Sequence, residues 1–258
     1  IAPAIWWVGQ MPEGRRVLIL GGTAEAVDLA TKVSGSWNVT YSLAGRTRTP
    51  SLPANVSIRT GGFGGAEALA GWLRENEIGR VIDATHPFAH RIAVNALRAC
   101  ETAGIARLKL MRPAWEPGSG DDWRPTADPG AAASLLPSVG QRAFLSIGRQ
   151  DLATFADVRD SAFLIRTVDQ LESVPLKNST CVTGRGPFSE AQETDLLRQH
   201  RIDVLVSKNA GGDSTYAKIE AARKLSIPVI MIGRPDPVAG ETLETVDDVV
   251  GWLATRES

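Results

Sequence analysis

The stretch Arg16-Val17-Leu18-Ile19-Leu20-Gly21-Gly22-Thr23-Ala24-Glu25-Ala26 decides the predicted fold. Its first half is short, apolar and rich in β-branched residues, which is typical of a strand buried on both faces of a parallel sheet. Two glycines follow, and because they lack Cβ atoms they allow a sharp turn and a close approach of main-chain amides to a ligand. The residues after them favour a helix, whose free N–H groups and positive dipole end would face the same position. The stretch therefore predicts a strand, a tight turn and a helix that can bind an anion such as pyrophosphate.

The glycine turn is a weak signal when it is taken alone. The dinucleotide fingerprint G-x-G-x-x-G is absent, because Thr23 and Ala26 stand where two of its glycines would be. A glycine-rich turn that binds nothing is the alternative. The residues of this turn that we predict to bind a cofactor are Gly21, Gly22, Thr23, Ala24 and Glu25.

Length and composition limit the class of protein. The chain has 258 residues, 43% of them hydrophobic, which is enough for one large domain or two small ones. A formal net charge of -1 offers no general attraction to nucleic acid or to an anionic membrane. Cys100 and Cys181 are too few for a disulfide framework or a metal cluster and fit a reducing cytosol. We expect a cytoplasmic protein without a metal site or membrane span, with residues 1–14 an extension outside the fold.

The second predicted strand, Asn38–Leu43, leads into a basic loop that bears on the choice of cofactor. In dinucleotide-binding sheets this position meets the adenosine ribose, where an acidic residue suits NAD and an arginine suits the 2′-phosphate of NADP. The loop has no acid. A guanidinium beside hydroxyl groups forms a phosphate site, although a solvated basic loop is the alternative. We therefore predict NADPH as the cofactor, with contacts from Ser42, Gly45, Arg46 and Thr47.

Two further strand ends in the first half are expected to face the cofactor, because open α/β sheets bind ligands at the carboxyl ends of their strands. A third strand over Val56–Thr60 is followed by glycines around one aromatic ring, which suits a flat ligand or a simple surface turn. A fourth strand begins at Arg80 and ends in a Thr-His-Pro sequence, where the histidine is either a ligand contact or structural. The candidate cofactor-binding residues here are Gly62, Phe63, Gly64, Asp83, Ala84, Thr85 and His86.

The second half repeats the alternation of strands and helices, which predicts another parallel sheet covered by helices. The fold class is therefore α/β, with two Rossmann-like lobes and an active site in the cleft between them. We expect residues 15–112 to form the cofactor-binding domain, residues 113–140 a connecting segment, and residues 141–258 the second domain. The predicted strands of this domain are Ala143–Ile147, Ala162–Arg166, Ser179–Thr183, Asp203–Ser207 and Val229–Ile232.

Three loops of the second half each carry a cation after a predicted strand, and a further lysine follows one of them. Small residues with fixed positive charges suit a substrate that has several carboxylates. The predicted substrate-binding residues are Arg149, Arg185, Lys208 and Lys218. Asp213 lies among these cations, where it could orient a ring nitrogen, relay a proton or cap the next helix. Asp213 and Arg149 are the candidate catalytic residues.

Several of these motifs occur in an order that resembles one family. They are GGTAEA, AGRTRTP, DATHPFA, GRGPF, and SKNAGGDSTYAKIEAAR with IPVIMIGRP, and the resemblance covers nearly everything from Arg16 to the carboxyl terminus. The chain is similar to the precorrin-6A reductases of corrin-ring biosynthesis, CobK and CbiJ. The resemblance implies NADPH-dependent reduction of one double bond of precorrin-6A, a tetrapyrrole with many carboxylate arms, to give precorrin-6B.

One alternative function lies within the same family, and two belong to different classes of protein. The anaerobic branch of the family implies a substrate that already carries cobalt. An S-adenosylmethionine-dependent methyltransferase would need an acid after the second strand, where Arg46 stands instead. A non-catalytic nucleotide sensor would bind NADPH but would not need the three cationic loops. The sequence leaves the proton donor, the face of hydride attack and the oligomeric state, monomer or small homo-oligomer, open.

Overall fold

The structure is a computed structural model that describes residues 15–45 and 51–255. The segment predicted as an extension, 1–14, and the basic-loop residues Arg46 and Thr47 lie outside the described residues. The chain divides into two compact units, Ile1–Met111 with Val238–Ser258, and Arg112–Pro237.

The first unit is built on a six-stranded parallel sheet with the strand order β12-β5-β4-β1-β2-β3. The strands are β1 (Arg16–Leu20), β2 (Asn38–Leu43), β3 (Ser57–Thr60), β4 (Arg80–Asp83), β5 (Ala106–Leu110) and β12 (Glu241–Leu243). The apolar run of β1 is central and buried on both faces, and Leu18 pairs with Thr40 on one side and with Val81 on the other. The strand predicted from its apolar run is thus the organising element of this unit.

Helices cover both faces of this sheet. They are α1 (Ala24–Val33), α2 (Ala66–Glu75), α3 (His90–Ala103) and α7 (Val246–Thr255). The buried positions of α1 are Ala26, Leu29, Ala30 and Val33, which is the spacing of one helix face. That face joins the same apolar cluster as Trp252 and Leu253 of α7, while α2 and α3 pack on the opposite face.

The second unit has another six-stranded parallel sheet, with the order β6-β11-β10-β7-β8-β9. The strands are β6 (Trp123–Thr126), β7 (Arg142–Ser146), β8 (Ala162–Thr167), β9 (Ser179–Thr183), β10 (Val204–Lys208) and β11 (Val229–Ile232). The helices are α4 (Pro129–Val139), α5 (Glu190–Gln199) and α6 (Ala217–Lys224), and a 3₁₀ helix spans Arg149–Phe155. The prediction of an α/β fold with two parallel sheets covered by helices is confirmed.

Two of the predicted domain boundaries are wrong. Residues 113–140 are not a simple connection, because they contain β6 and α4 and belong to the second unit. Residues 238–258 return to the first unit, where β12 pairs with β5 and α7 covers the sheet. The second unit therefore ends at Pro237, and the first unit is assembled from both ends of the chain.

Candidate functional site

The glycine turn after β1 is shaped by Tyr41 of β2. A Cβ atom on Gly21 would lie 2.2 Å from Cζ of the buried Tyr41 ring, so only glycine fits here. Gly22 has a φ of +112°, and its N–H donates to the Tyr41 hydroxyl at 3.1 Å. Burial raises the pKa of Tyr41, which outweighs the lowering by this hydrogen bond and keeps the hydroxyl protonated. The turn is therefore fixed by packing as well as by backbone freedom.

Thr23 connects the turn to the helix and to the end of β4. Its hydroxyl oxygen accepts from the Ala26 N–H at 3.1 Å and caps α1, and the hydroxyl donates to the Ala84 carbonyl at 2.9 Å. Helix geometry leaves the first-turn N–H groups, at Ala24 and Glu25, without acceptors inside the helix. The predicted turn residues thus lie together at one helix amino terminus, where an anion is favoured.

Beside the end of β2 lies a residue of β3, Arg59, that the sequence interpretation missed. Ser42 is buried and Gly45 is exposed, and the register partner of Ser42 in β3 is Arg59. An Arg59 guanidinium nitrogen lies 3.5 Å from the Ser42 hydroxyl. The signal in the sequence was Arg59 itself, one position before the end of β3. β3 pairs with β2, the strand after which an arginine was expected.

Phe63 packs between Arg59 and Trp72. The Arg59 guanidinium carbon lies 3.6 Å from the centre of the Phe63 ring, and Trp72 meets that ring edge-on at 5.3 Å. One face of the ring thus supports Arg59, and contact of this glycine-rich turn with a flat ligand stays a prediction. Gly62 and Gly64 are exposed in the same turn.

Asp83 lies in a buried network beneath the end of β4. Its carboxylate is fully buried, forms ion pairs of 2.9 Å with Arg107 and with Lys109, and accepts from the Thr85 hydroxyl at 2.6 Å. Burial alone would raise the pKa of Asp83, but Lys109, Thr85 and Arg107 together hold it below its usual range. The prediction that the Asp83 side chain contacts a cofactor is corrected, because its carboxylate has no exposed surface.

The residues around this network keep the end of β4 in place. Thr85 is buried, and both its carbonyl and its hydroxyl accept from the Lys109 ammonium, at 3.1 and 3.2 Å. His86 is half-buried, and its Nδ1 accepts from the Phe88 N–H at 3.3 Å. Of the predicted β4 residues, His86 has the largest exposed surface, and its contact with a cofactor stays a prediction.

In the second unit, the predicted cationic loops follow β7, β9 and β10, so they lie at one edge of one parallel sheet. Arg149 is exposed and begins the 3₁₀ helix, and Arg185 is exposed after β9. The Lys208 ammonium forms an ion pair with Asp151 at 2.5 Å. Since β7 and β10 are neighbours, Arg149 and Lys208 belong to adjacent loops.

Two arginines and an indole donate hydrogen bonds to the backbone carbonyls of the loop after β10. Arg112 donates to the carbonyls of Ala210 and Gly211 at 2.9 and 2.8 Å. Arg234 donates to the carbonyls of Asn209 and Ala210, and the Trp115 indole donates to Gly212. Four consecutive carbonyls, those of residues 209–212, are thus fixed by donors within the unit, and two of these donors are the cations Arg112 and Arg234.

Lys218 does not have the exposed position expected of a substrate ligand. The residue is 4% exposed, its ammonium donates to the Thr215 carbonyl at 2.6 Å, and it lies 4.9 Å from the centre of the Trp115 ring. Burial lowers the pKa of Lys218 to about 7. The predicted contact with a substrate carboxylate is corrected, because the side chain lies inside the unit.

Asp213 is exposed at the end of the loop after β10. The helix that follows begins at Ala217, with Tyr216 at the N-cap position, so the helix-capping alternative for Asp213 is wrong. A role for Asp213 in the chemistry stays a prediction.

The protein is an α/β protein of the Rossmann type. It has two units, each a parallel sheet covered by helices, and a glycine turn that leads into a helix. In the part of the chain described here, no helix is long and apolar enough to cross a membrane. The model of the family "Precorrin-6x reductase CbiJ/CobK" matches residues 16–254. The chain belongs to this family, as the resemblance in its motifs predicted.

Individual relatives agree with the family match. The chain is 48% identical to a precorrin-6A reductase of Rhodococcus erythropolis, over 93% of this chain and 98% of that protein. It is 32% identical to a cobalt-precorrin-6A reductase of Salmonella typhimurium, over 88% of this chain and 90% of that protein. A solved structure described as CobK precorrin-6A reductase is 40% identical, has a TM-score of 0.90, and is matched over 94% of this chain and 97% of that one.

Proposed function

We propose that this protein reduces one double bond of precorrin-6A with NADPH, giving precorrin-6B in cobalamin biosynthesis. The observation that carries the proposal is the similarity to precorrin-6A reductases at 42–48% identity over more than nine-tenths of the chain. The cobalt-precorrin-6A reductases are 28–32% identical, which favours the metal-free substrate.

The first unit suits a phosphorylated nicotinamide nucleotide. Gly21 has no room for a Cβ atom beside Tyr41, and the turn it forms brings main-chain N–H groups to the start of α1. Ser42 and Arg59 supply a hydroxyl and a cation at the end of β2. When bound, the nicotinamide ring supplies the hydride. The protein therefore needs to position and orient the cofactor and the substrate and to exclude water, and it does not need a nucleophile of its own.

The second unit suits the acidic substrate. Arg149 and Arg185 follow β7 and β9, and Lys208 is the last residue of β10, so all three lie at one edge of the sheet. The loop after β10 is fixed by its hydrogen bonds to Arg112, Arg234 and Trp115. Carboxylate arms would bind to these cations, which orients the ring. Hydride addition also requires a proton, and Asp213 is an exposed carboxyl group at the end of the same loop.

The proposal is tested by anaerobic incubation with precorrin-6A and either NADPH or NADH. We expect consumption of NADPH, followed at its absorbance band, and a product two hydrogen atoms heavier by mass spectrometry. Cobalt-precorrin-6A is the parallel substrate, and faster turnover of it would assign the chain to the cobalt-dependent route. Absence of turnover with both substrates would contradict the proposal.

Asp213→Asn tests the role of this carboxylate. We expect kcat to fall at least about 10-fold with little change in KM, because general acid catalysis contributes roughly 10²–10⁴-fold. Asp195→Asn, an exposed carboxylate on α5, is the matched control and should leave both constants unchanged. An unchanged kcat in Asp213→Asn would exclude this residue from the chemistry.

A further inference from the structure

Arg59 is a partly buried cation at the carboxyl edge of the first sheet. It precedes Thr60, the last residue of β3, and is the register partner of Ser42 in β2. One guanidinium nitrogen lies 3.5 Å from the Ser42 hydroxyl. Arg59 therefore lies beside the end of β2, the position at which dinucleotide-binding sheets meet the adenosine ribose.

The guanidinium of Arg59 is held in a fixed orientation. Its two terminal nitrogens donate to the carbonyls of Gly61 and Gly62 at 2.6 and 2.9 Å. The Phe63 ring covers one face at 3.6 Å, and Trp72 supports that ring edge-on. A planar cation that is stacked and hydrogen-bonded in this way loses little further freedom when it binds an anion.

The charge of Arg59 is not neutralised within the described residues, 15–45 and 51–255, where its contacts are carbonyls, one hydroxyl and aromatic rings. Burial lowers the pKa of Arg59, and no neighbouring carboxylate offsets that effect. In the second unit, by comparison, the partly buried Arg166 is paired with the carboxylate of Glu193. Arg59 therefore keeps a positive charge with which a bound anion can pair.

We propose that Arg59 binds the 2′-phosphate of the adenosine ribose and thereby makes the protein select NADPH over NADH. This inference rests on the proposed function, in which the first unit binds a nicotinamide nucleotide. The N–H groups of a guanidinium lie in its plane, so stacking on Phe63 leaves its edge able to donate to phosphate oxygens. Phe63 and the carbonyls of Gly61 and Gly62 act as positioning groups for Arg59.

The test measures binding as well as activity. Dissociation constants are determined by titration calorimetry for NADPH, NADH, adenosine 2′,5′-bisphosphate and adenosine 5′-monophosphate, with wild type, Arg59→Gln and Arg59→Lys. We expect Arg59→Gln to weaken NADPH and the bisphosphate by about 10- to 100-fold, the range for a lost charged hydrogen bond. NADH and the monophosphate should change by less than about 3-fold. Arg98→Gln, an exposed arginine on α3, is the matched control and should change none of the four.

The possible results separate the two proposals. Equal weakening of NADPH and NADH in Arg59→Gln would mean that Arg59 only supports the turn, and would overturn the inference. Wild-type protein that binds NADH as tightly as NADPH would instead contradict the proposed cofactor, whatever Arg59 does. If Arg59→Gln does not fold, Arg59→Lys decides, because lysine keeps the charge but lacks the planar fork. The inference then requires a selective loss for the two 2′-phosphorylated ligands, and an unchanged ratio of NADPH to NADH affinity would overturn it.

Discussion

At the scale of single residues, the burial of Lys218 predicts a dependence of stability on pH. Its pKa is lowered to about 7 by burial, while the charge of Glu193 raises it and the charges of Arg166 and Arg112 lower it. An unfolded lysine has a pKa of about 10.4, so between these values the unfolded chain holds a proton that the folded chain lacks. Raising the pH through this window therefore favours the folded state.

We expect the free energy of unfolding of the wild type, relative to Lys218→Met, to rise by about 1 kcal/mol between pH 7.5 and 8.5. Methionine keeps the length and apolar stem of the side chain without the titrating group. Urea denaturation at several pH values measures the difference in free energy of unfolding between the two proteins. The contributions of all other titrating groups cancel in this difference. If the two proteins change in parallel over this range, Lys218 stays charged in the folded state.

The buried network of Asp83 predicts a large loss of stability on a change of one residue. Asp83→Asn removes the charge that Arg107 and Lys109 share, and a buried ion pair that loses one partner is destabilised by about 3–5 kcal/mol. Asp247→Asn makes the same chemical change in an exposed pair with Lys32 and should have a far smaller effect. Urea denaturation of both variants measures the loss of stability. An equal loss in the two variants would contradict the burial of the Asp83 ion pairs.

Residue type predicted which side chains occur at the strand ends, but not how deeply they are buried. Asp83 and Lys218 have the charges that suggest ligand contacts, yet both are covered by packing from elements distant in the sequence. Arg59 was missed for the converse reason. Its closeness to Ser42 arises from the pairing of β2 with β3, and no local pattern reports which residues will be register partners.

At the scale of elements, substitution of a glycine by alanine should have opposite effects in the turn between β1 and α1 and inside α2. Gly21→Ala should destabilise the protein by at least about 1–3 kcal/mol and weaken nucleotide binding, because the new Cβ would overlap Tyr41. Gly71→Ala, inside α2 where a Cβ meets nothing within 4 Å, should stabilise by about 0.5–1 kcal/mol. Thermal unfolding and calorimetric titration with NADPH measure both variants. A stable Gly21→Ala protein that binds normally would show that the turn can adjust.

The elements that have a strong period or a long apolar run were found from the sequence. β1 is an uninterrupted apolar strand, and α1 has its apolar residues on one helix face. The missed elements lack these signals. β6 is a four-residue edge strand that contains Pro125, α4 begins with Pro129 in a segment rich in small residues, and β12 has only three residues. Their structure depends on pairing and packing with the rest of their units.

At the scale of the whole molecule, the chain crosses from the first unit to the second and returns. The returning segment adds β12 to the edge of the first sheet, with Leu243 paired to Leu110, and places α7 on the apolar cluster around Leu108. The second unit, in contrast, is one continuous stretch from Arg112 to Pro237. The two units should therefore differ in whether a fragment cut from the chain folds.

We expect the fragment 112–237 to unfold cooperatively by circular dichroism, and the fragment 15–111 not to. Without 238–255 the first unit loses the burial of Val249, Trp252 and Leu253, worth about 5–9 kcal/mol at 1.5–3 kcal/mol for each side chain, which is comparable to the whole stability of a domain. Joining residue 111 to residue 238 with a short glycine-serine linker should restore cooperative unfolding, since the Met111 N–H donates to the Leu243 carbonyl at 2.9 Å. Cooperative unfolding of 15–111 alone would show that the returning segment is not required for this unit to fold.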